Sequence, residues 1–210
     1  MKRIVISVLT CSLLISAALS VTLISREAYA QAYCALRQPH RAQQKLFPKS
    51  TTLETFTNQV TEQHRSQVQS ELKFTIHHDE LGLHTLYAVF LGEGATRQHL
   101  GYIHVRSEQG EGGLIEIAWA LYPDLTVKGF IFQRCREMAR RDVEADIFKM
   151  FLHKRSGKML SIFLNKEGDK LVNPLPMLNE EAQPLGLTLL RSALKTIAVT
   201  RAVWPKVTSP

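Results

Sequence analysis

LHTLYAVFLGEGATRQHLGYIHVRSEQGEGGLIEIAWALYPDLTVKGFIF, residues 83 to 132, decides the fold. Four runs rich in aliphatic, aromatic and β-branched side chains (83–91, 99–105, 114–122 and 125–132) alternate apolar and polar positions, the period of a strand with one face buried. The first two flank Gly92-Glu93-Gly94, the next pair flank Gly110-Glu111-Gly112-Gly113, and Pro123-Asp124 separates the last two. Connections this short join antiparallel neighbours, so the stretch predicts an antiparallel sheet. LKFTIH (72–77), with Leu72, Phe74 and Ile76 at every second place, adds a fifth strand candidate on its N-terminal side.

Helical spacing surrounds these strands. Thr51-Thr52-Leu53-Glu54 has the form of a capping box, and Leu53, Phe56 and Val60 follow it, which predicts a helix from Thr51 to about Val68. Val143, Ile147 and Phe151 predict a second helix over Glu137 to His153. KMLSIFL (158–164) reads as a further strand, and Asn165 to Pro184, with three prolines, as a long loop. A closing helix from about Leu187 to Trp204 presents Leu187, Leu190, Leu194 and Ile197 on one face. The expectation is an α+β fold, a mostly antiparallel sheet packed with helices.

The N-terminus carries Lys2-Arg3, an uncharged run from Ile4 to Ile24, and Ala28-Tyr29-Ala30. Residues 1–30 therefore read as a secretory signal peptide cleaved after Ala30, or as an uncleaved membrane anchor. Either puts the remainder outside the cytoplasm, in a bacterial periplasm. Residues 31–50, polar and containing Pro39 and Pro48, read as a tether. Of the net charge of +7, the leader holds +2, which leaves +5 on the rest of the chain. Export excludes nucleic acid as a natural partner; the clusters around Arg134-Arg136, Arg140-Arg141 and His153-Arg155 suit an anionic cofactor, a membrane surface or simply solvent. Cys34 and Cys135 remain after the leader, as one disulfide or two thiols.

Side-chain catalysis has little support. The eight histidines form no HExxH or other tight ligand arrangement, so no metal is expected. No nucleophile elbow or P-loop occurs. One stretch is chemically suggestive: in PLGLTLLRSA (184–193) a glycine and Thr188 precede an apolar helix, whose first-turn amides and dipole suit a phosphate. Capping or packing are equally available roles for Thr188.

Order along the chain adds a resemblance. The segment LYAVFLGEGATRQHLGYIHVRSEQGEGGLIEIAWALYPDLTVKGFIFQRCRE (86–137), followed by Gly157-Lys158-Met159 and then Leu185-Gly186-Leu187-Thr188, is similar to the FMN-binding domain family of the periplasmic subunits of Rnf and sodium-translocating NADH:quinone reductase complexes. The similarity spans roughly Leu72 to Trp204 and implies an FMN-binding-like α+β domain over residues 51–210. It implies FMN held at Thr188, where a flavin transferase attaches the cofactor in the family, with Gly186 and Glu137 also at matching positions; Arg136 joins them only through the clustering of arginines after the strand over 125–132. The chain would then be an electron carrier attached to a membrane redox complex rather than a stand-alone enzyme. Leu185 and Leu187 stand where the family has serine and alanine, and Ala182 where it has an acidic residue. Arg134, Arg136 and Arg140 are the candidate replacement phosphate contacts, and Trp119, Tyr122 and Phe132 the candidate walls for a flavin ring. A cofactor-free relative, acting as a binding or assembly subunit at the membrane face, is the alternative.

Overall fold

The computed structural model describes residues 38 to 208; the readings of the leader and of Cys34 lie outside the described residues. Five strands, β1 (Thr52–Val60), β2 (Gly82–Leu91), β3 (Gln98–Gly110), β4 (Gly113–Leu121) and β5 (Val127–Arg134), form one antiparallel sheet in the order β1-β2-β3-β4-β5. The helices are α1 (His40–Leu46), α2 (Glu62–Glu71), α3 (Arg140–Val143), α4 (Asp146–Leu152), α5 (Gly157–Ser161), α6 (Gln183–Val203) and α7 (Pro205–Thr208). The α+β expectation holds.

Alternation along the strands gives the sheet two apolar faces. Leu86, Tyr102, Ile117, Trp119 and Phe130 lie in the main core with the buried side of α6, while Val89, Ile103, Ala118 and Ala120 form a smaller core with Ala42 and Phe47 around α1. The stretch expected as a tether thus contributes, over its described part, a helix and the buried Pro39, Ala42 and Phe47. Trp119 and Ser192 join β4 to α6 directly, the indole N–H donating to Ser192 Oγ at 2.9 Å.

Several local expectations give way to tertiary context. Thr52–Val60 is an edge strand paired with β2, Thr52 facing Phe90 and Val60 facing Gly82. Leu53 packs into the smaller core and Phe56 and Val60 into the main one, so their helix-like spacing belongs to the two sides of a strand. The capping box lies one element later: Thr61 Oγ1 accepts from the His64 amide, and His64 Nδ1 accepts from the Thr61 amide, at the start of α2. LKFTIH forms no strand, because β1 and β3 occupy both edges of β2, although Phe74 and Ile76 are still buried. Residues 158–164 are not a strand either. Ser156 caps α5 by accepting from the Met159 amide, and Leu164 makes only an isolated bridge to Leu171.

The helix expected over 137–153 is broken between α3 and α4, which shifts its inward face to Val143, Phe148 and Leu152. Ile147 is left 60% exposed.

Candidate functional site

The β3–β4 hairpin, the segment after β5 and the start of α6 enclose an open groove of about 840 Å³, within the size range of small-molecule sites. Its lining includes Arg136, Glu137 and Thr188, far apart in sequence. Gly186 does not line it. That glycine is buried on the other side of α6, where an added Cβ would come within 2.5 Å of Leu178 Cδ1 and 3.2 Å of Leu175 Cδ1.

Glu137 and Thr188 each have an internal partner. Glu137 Oε1 accepts from the Gly112 amide at 2.8 Å, pinning the hairpin to the chain beyond β5. The Thr188 hydroxyl donates to the Pro184 carbonyl at 3.1 Å. α6 begins at Gln183, four residues before the expected start, because proline fits a first turn whose amides are unpaired in any case. Asn179 caps the preceding turn by accepting from the Ala182 amide at 2.9 Å, and the Gln183 side chain bonds the backbone of Leu175 and Leu178. Thr188 consequently lies in the second turn, beyond the free amides that would attract a phosphate.

Electrostatics point the same way. Glu111, Glu137 and Glu181 line the groove against Arg136, the one cation among its described lining residues. A phosphate dianion would meet an excess of negative charge. Arg140 is engaged with Glu144 at 3.0 Å and lines a different groove. Trp119 and Phe132 are buried in the main core, and Tyr122 lies near His153; none of the three lines this groove. The residues present do not fit the phosphate or the ring of FMN. They do offer an acidic rim around exposed apolar surface, including Met138 at 97% exposure and the partly exposed Leu187.

A second polar constellation, absent from the sequence reading, sits under the middle of α6. Lys195 donates to Glu80 Oε1 at 2.9 Å and to Glu108 Oε2 at 2.5 Å, and Arg106 pairs with the other oxygen of Glu80. Beside them a hydrogen-bond chain assigns the histidine tautomers. Thr200 donates to His104 Nδ1 (3.0 Å), His104 Nε2–H to His84 Nδ1 (3.3 Å), and His84 Nε2–H to the Glu80 carbonyl (2.9 Å). Burial, with the Arg106 charge, lowers the pKa of His84 to about 4 and that of His104 well below its ordinary value. Burial pushes the Glu80 carboxyl upward, but Arg106 and Lys195 outweigh it and hold the pKa below the usual value. Two acids and two bases leave the constellation neutral, and it clamps α6 to β3.

Among the described residues no cluster of three or more histidine, cysteine or acidic side chains could hold a metal ion. Cys135 is half-buried, which raises its thiol pKa. No protein-family model matches the chain, and no curated protein matches it significantly.

Proposed function

We propose that this domain works without a cofactor, as an extracytoplasmic binding or assembly subunit, and that the hairpin groove receives a polypeptide segment bearing basic and apolar side chains. The observation that carries the reading is the lining itself: three carboxylates against one guanidinium, around a methionine that is almost fully exposed. Such a surface complements a cationic, apolar segment in charge and chemistry. Glu137 has a structural duty as well, holding the hairpin that forms one wall.

The test uses full-length chain in detergent and a fluorescent peptide of alternating lysine and leucine, followed by anisotropy. Glu181→Lys should weaken binding on the order of tenfold, the effect of about 1.4 kcal/mol at an interface. Equal affinity of wild type and Glu181→Lys would reject the groove as the docking site. A parallel preparation, co-expressed with a flavin transferase, is weighed intact beside Thr188→Ala. Added FMN mass that disappears in Thr188→Ala would replace this reading with that of a flavin-carrying electron carrier.

A further inference from the structure

The β5 edge of the sheet borders a groove of opposite character. About 590 Å³ of open space lies along β5, between α1 and the α3–α4 segment. Arg41 and Lys45 reach it from α1, Lys128 from β5, Arg140 from α3 and Lys149 from α4; Glu144 is the one acid among its described lining residues, and Arg140 is already bonded to it. Gly129 and Phe130 contribute to the lining between these cations.

We propose that this groove binds the phosphate of an anionic phospholipid and seats the domain on a membrane surface. Exposed apolar side chains, of which Met150 lines the groove and the others follow it closely in the chain or share its helix, favour a lipid over a soluble anion. Ile147 and Met150 on α4 are 60% and 75% exposed, and Met159 and Ile162 around α5 are 47% and 64% exposed. Phe151 of α4 meets Phe163, two residues beyond α5, with ring centroids 4.9 Å apart. Lys149, Lys154 and Lys158 fall between these apolar positions in the sequence. Cations flanking exposed methionine and isoleucine form an interfacial surface, apolar atoms entering the acyl boundary while lysines meet headgroups. Strand addition by an acidic peptide is disfavoured at the same edge. The amide and carbonyl of Val127 are bonded to Arg155 and Lys154, and the Lys128 carbonyl accepts from His153 Nδ1, so the start of β5 is already covered. The inference is independent of what occupies the hairpin groove.

The decisive experiment places an environment-sensitive nitrobenzoxadiazole at Met150→Cys in the full-length chain, with Cys11, Cys34 and Cys135 changed to serine. The protein is reconstituted into vesicles of phosphatidylcholine alone or with phosphatidylglycerol. We expect a blue shift only with phosphatidylglycerol. Lys45→Glu and Lys149→Glu should lower the shifted population on the order of tenfold per reversed charge at low salt. Lys45→Gln and Lys149→Gln should give smaller losses in the same order, and Glu181→Lys none; thermal melts identify any variant that fails to fold. An equal shift in phosphatidylcholine would overturn the headgroup site, as would no shift in either vesicle. Saturable binding of inorganic pyrophosphate, with no phosphatidylglycerol-dependent shift, would instead assign the groove to a soluble phosphate ligand and overturn the lipid proposal.

Discussion

Two charged regions touch α6, and they differ in closure. Under its middle, Lys195, Arg106, Glu80 and Glu108 neutralise one another with little access to bulk water. At its start, Glu181 joins Glu111 and Glu137 around open space with one cation for balance. Closed and balanced charges hold the helix in place; open and unbalanced ones remain available to something outside the chain. The contrast also explains why clusters of ionisable residues alone do not mark a ligand site. Buried ion pairs make modest net contributions to stability, yet removing one partner strands the other in a poorly solvated place.

That asymmetry gives the largest expected effect. Lys195→Met should destabilise the fold by about 3–5 kcal/mol in urea titrations, because Glu108 loses its cation, and Glu108→Leu added to it should recover much of the loss. A stability change in Lys195→Met no larger than that of a surface variant would erase the distinction between the two regions.

Acid should act on the closed region next. His84 and His104 are kept neutral when folded, with pKa values below the unfolded value near 6.5, so the unfolded chain takes up more protons as pH falls. Stability is therefore full above about pH 6.5 and declines toward pH 4, by about 2 kcal/mol at pH 5 for each histidine kept neutral. Below pH 4.5, protonation of Glu80 acts in the same direction. Melting curves at pH 7.5 and pH 5 measure the decline, and replacing both histidines with glutamine should flatten it.

Gly186→Ala sharpens the comparison within α6. Its Cβ would crowd Leu178, so a loss of about 1–3 kcal/mol is expected by thermal melting, with peptide binding in the groove retained. The smallest effect belongs to the open region: Glu181→Lys should change stability by less than about 0.5 kcal/mol while altering peptide affinity.

Much of the sheet was legible because the runs in β2 to β5 keep period two between glycine- and proline-marked turns. β1 was not, since Thr51 and Glu54 imitate a capping box whose functional counterpart, Thr61 with His64, lacks the usual acid. The apolar run 158–164 has no period of its own, and the cap at Ser156 decided its conformation. The resemblance pointed to Glu137, Gly186 and Thr188 and the clustering of arginines to Arg136; of these Arg136, Glu137 and Thr188 line one groove and Gly186 does not. The charges of Glu111 and Glu181 gain meaning only once folding gathers them there. The closed constellation left one readable trace: His104, Arg106 and Glu108 continue the side of β3 that Tyr102 begins, where polar side chains on a buried face demand partners.

The order of strands in the sheet matches their order in the chain, which bears on how the molecule comes into being. Each new strand finds its neighbour immediately upstream, so the meander can grow as the polypeptide lengthens. Its helix-bearing side is different. His104 and Glu108 wait for Thr200 and Lys195, some 90 residues later in synthesis. That face of the sheet stays uncovered until α6 has emerged, so a chain cut before Gln183 should be prone to aggregation.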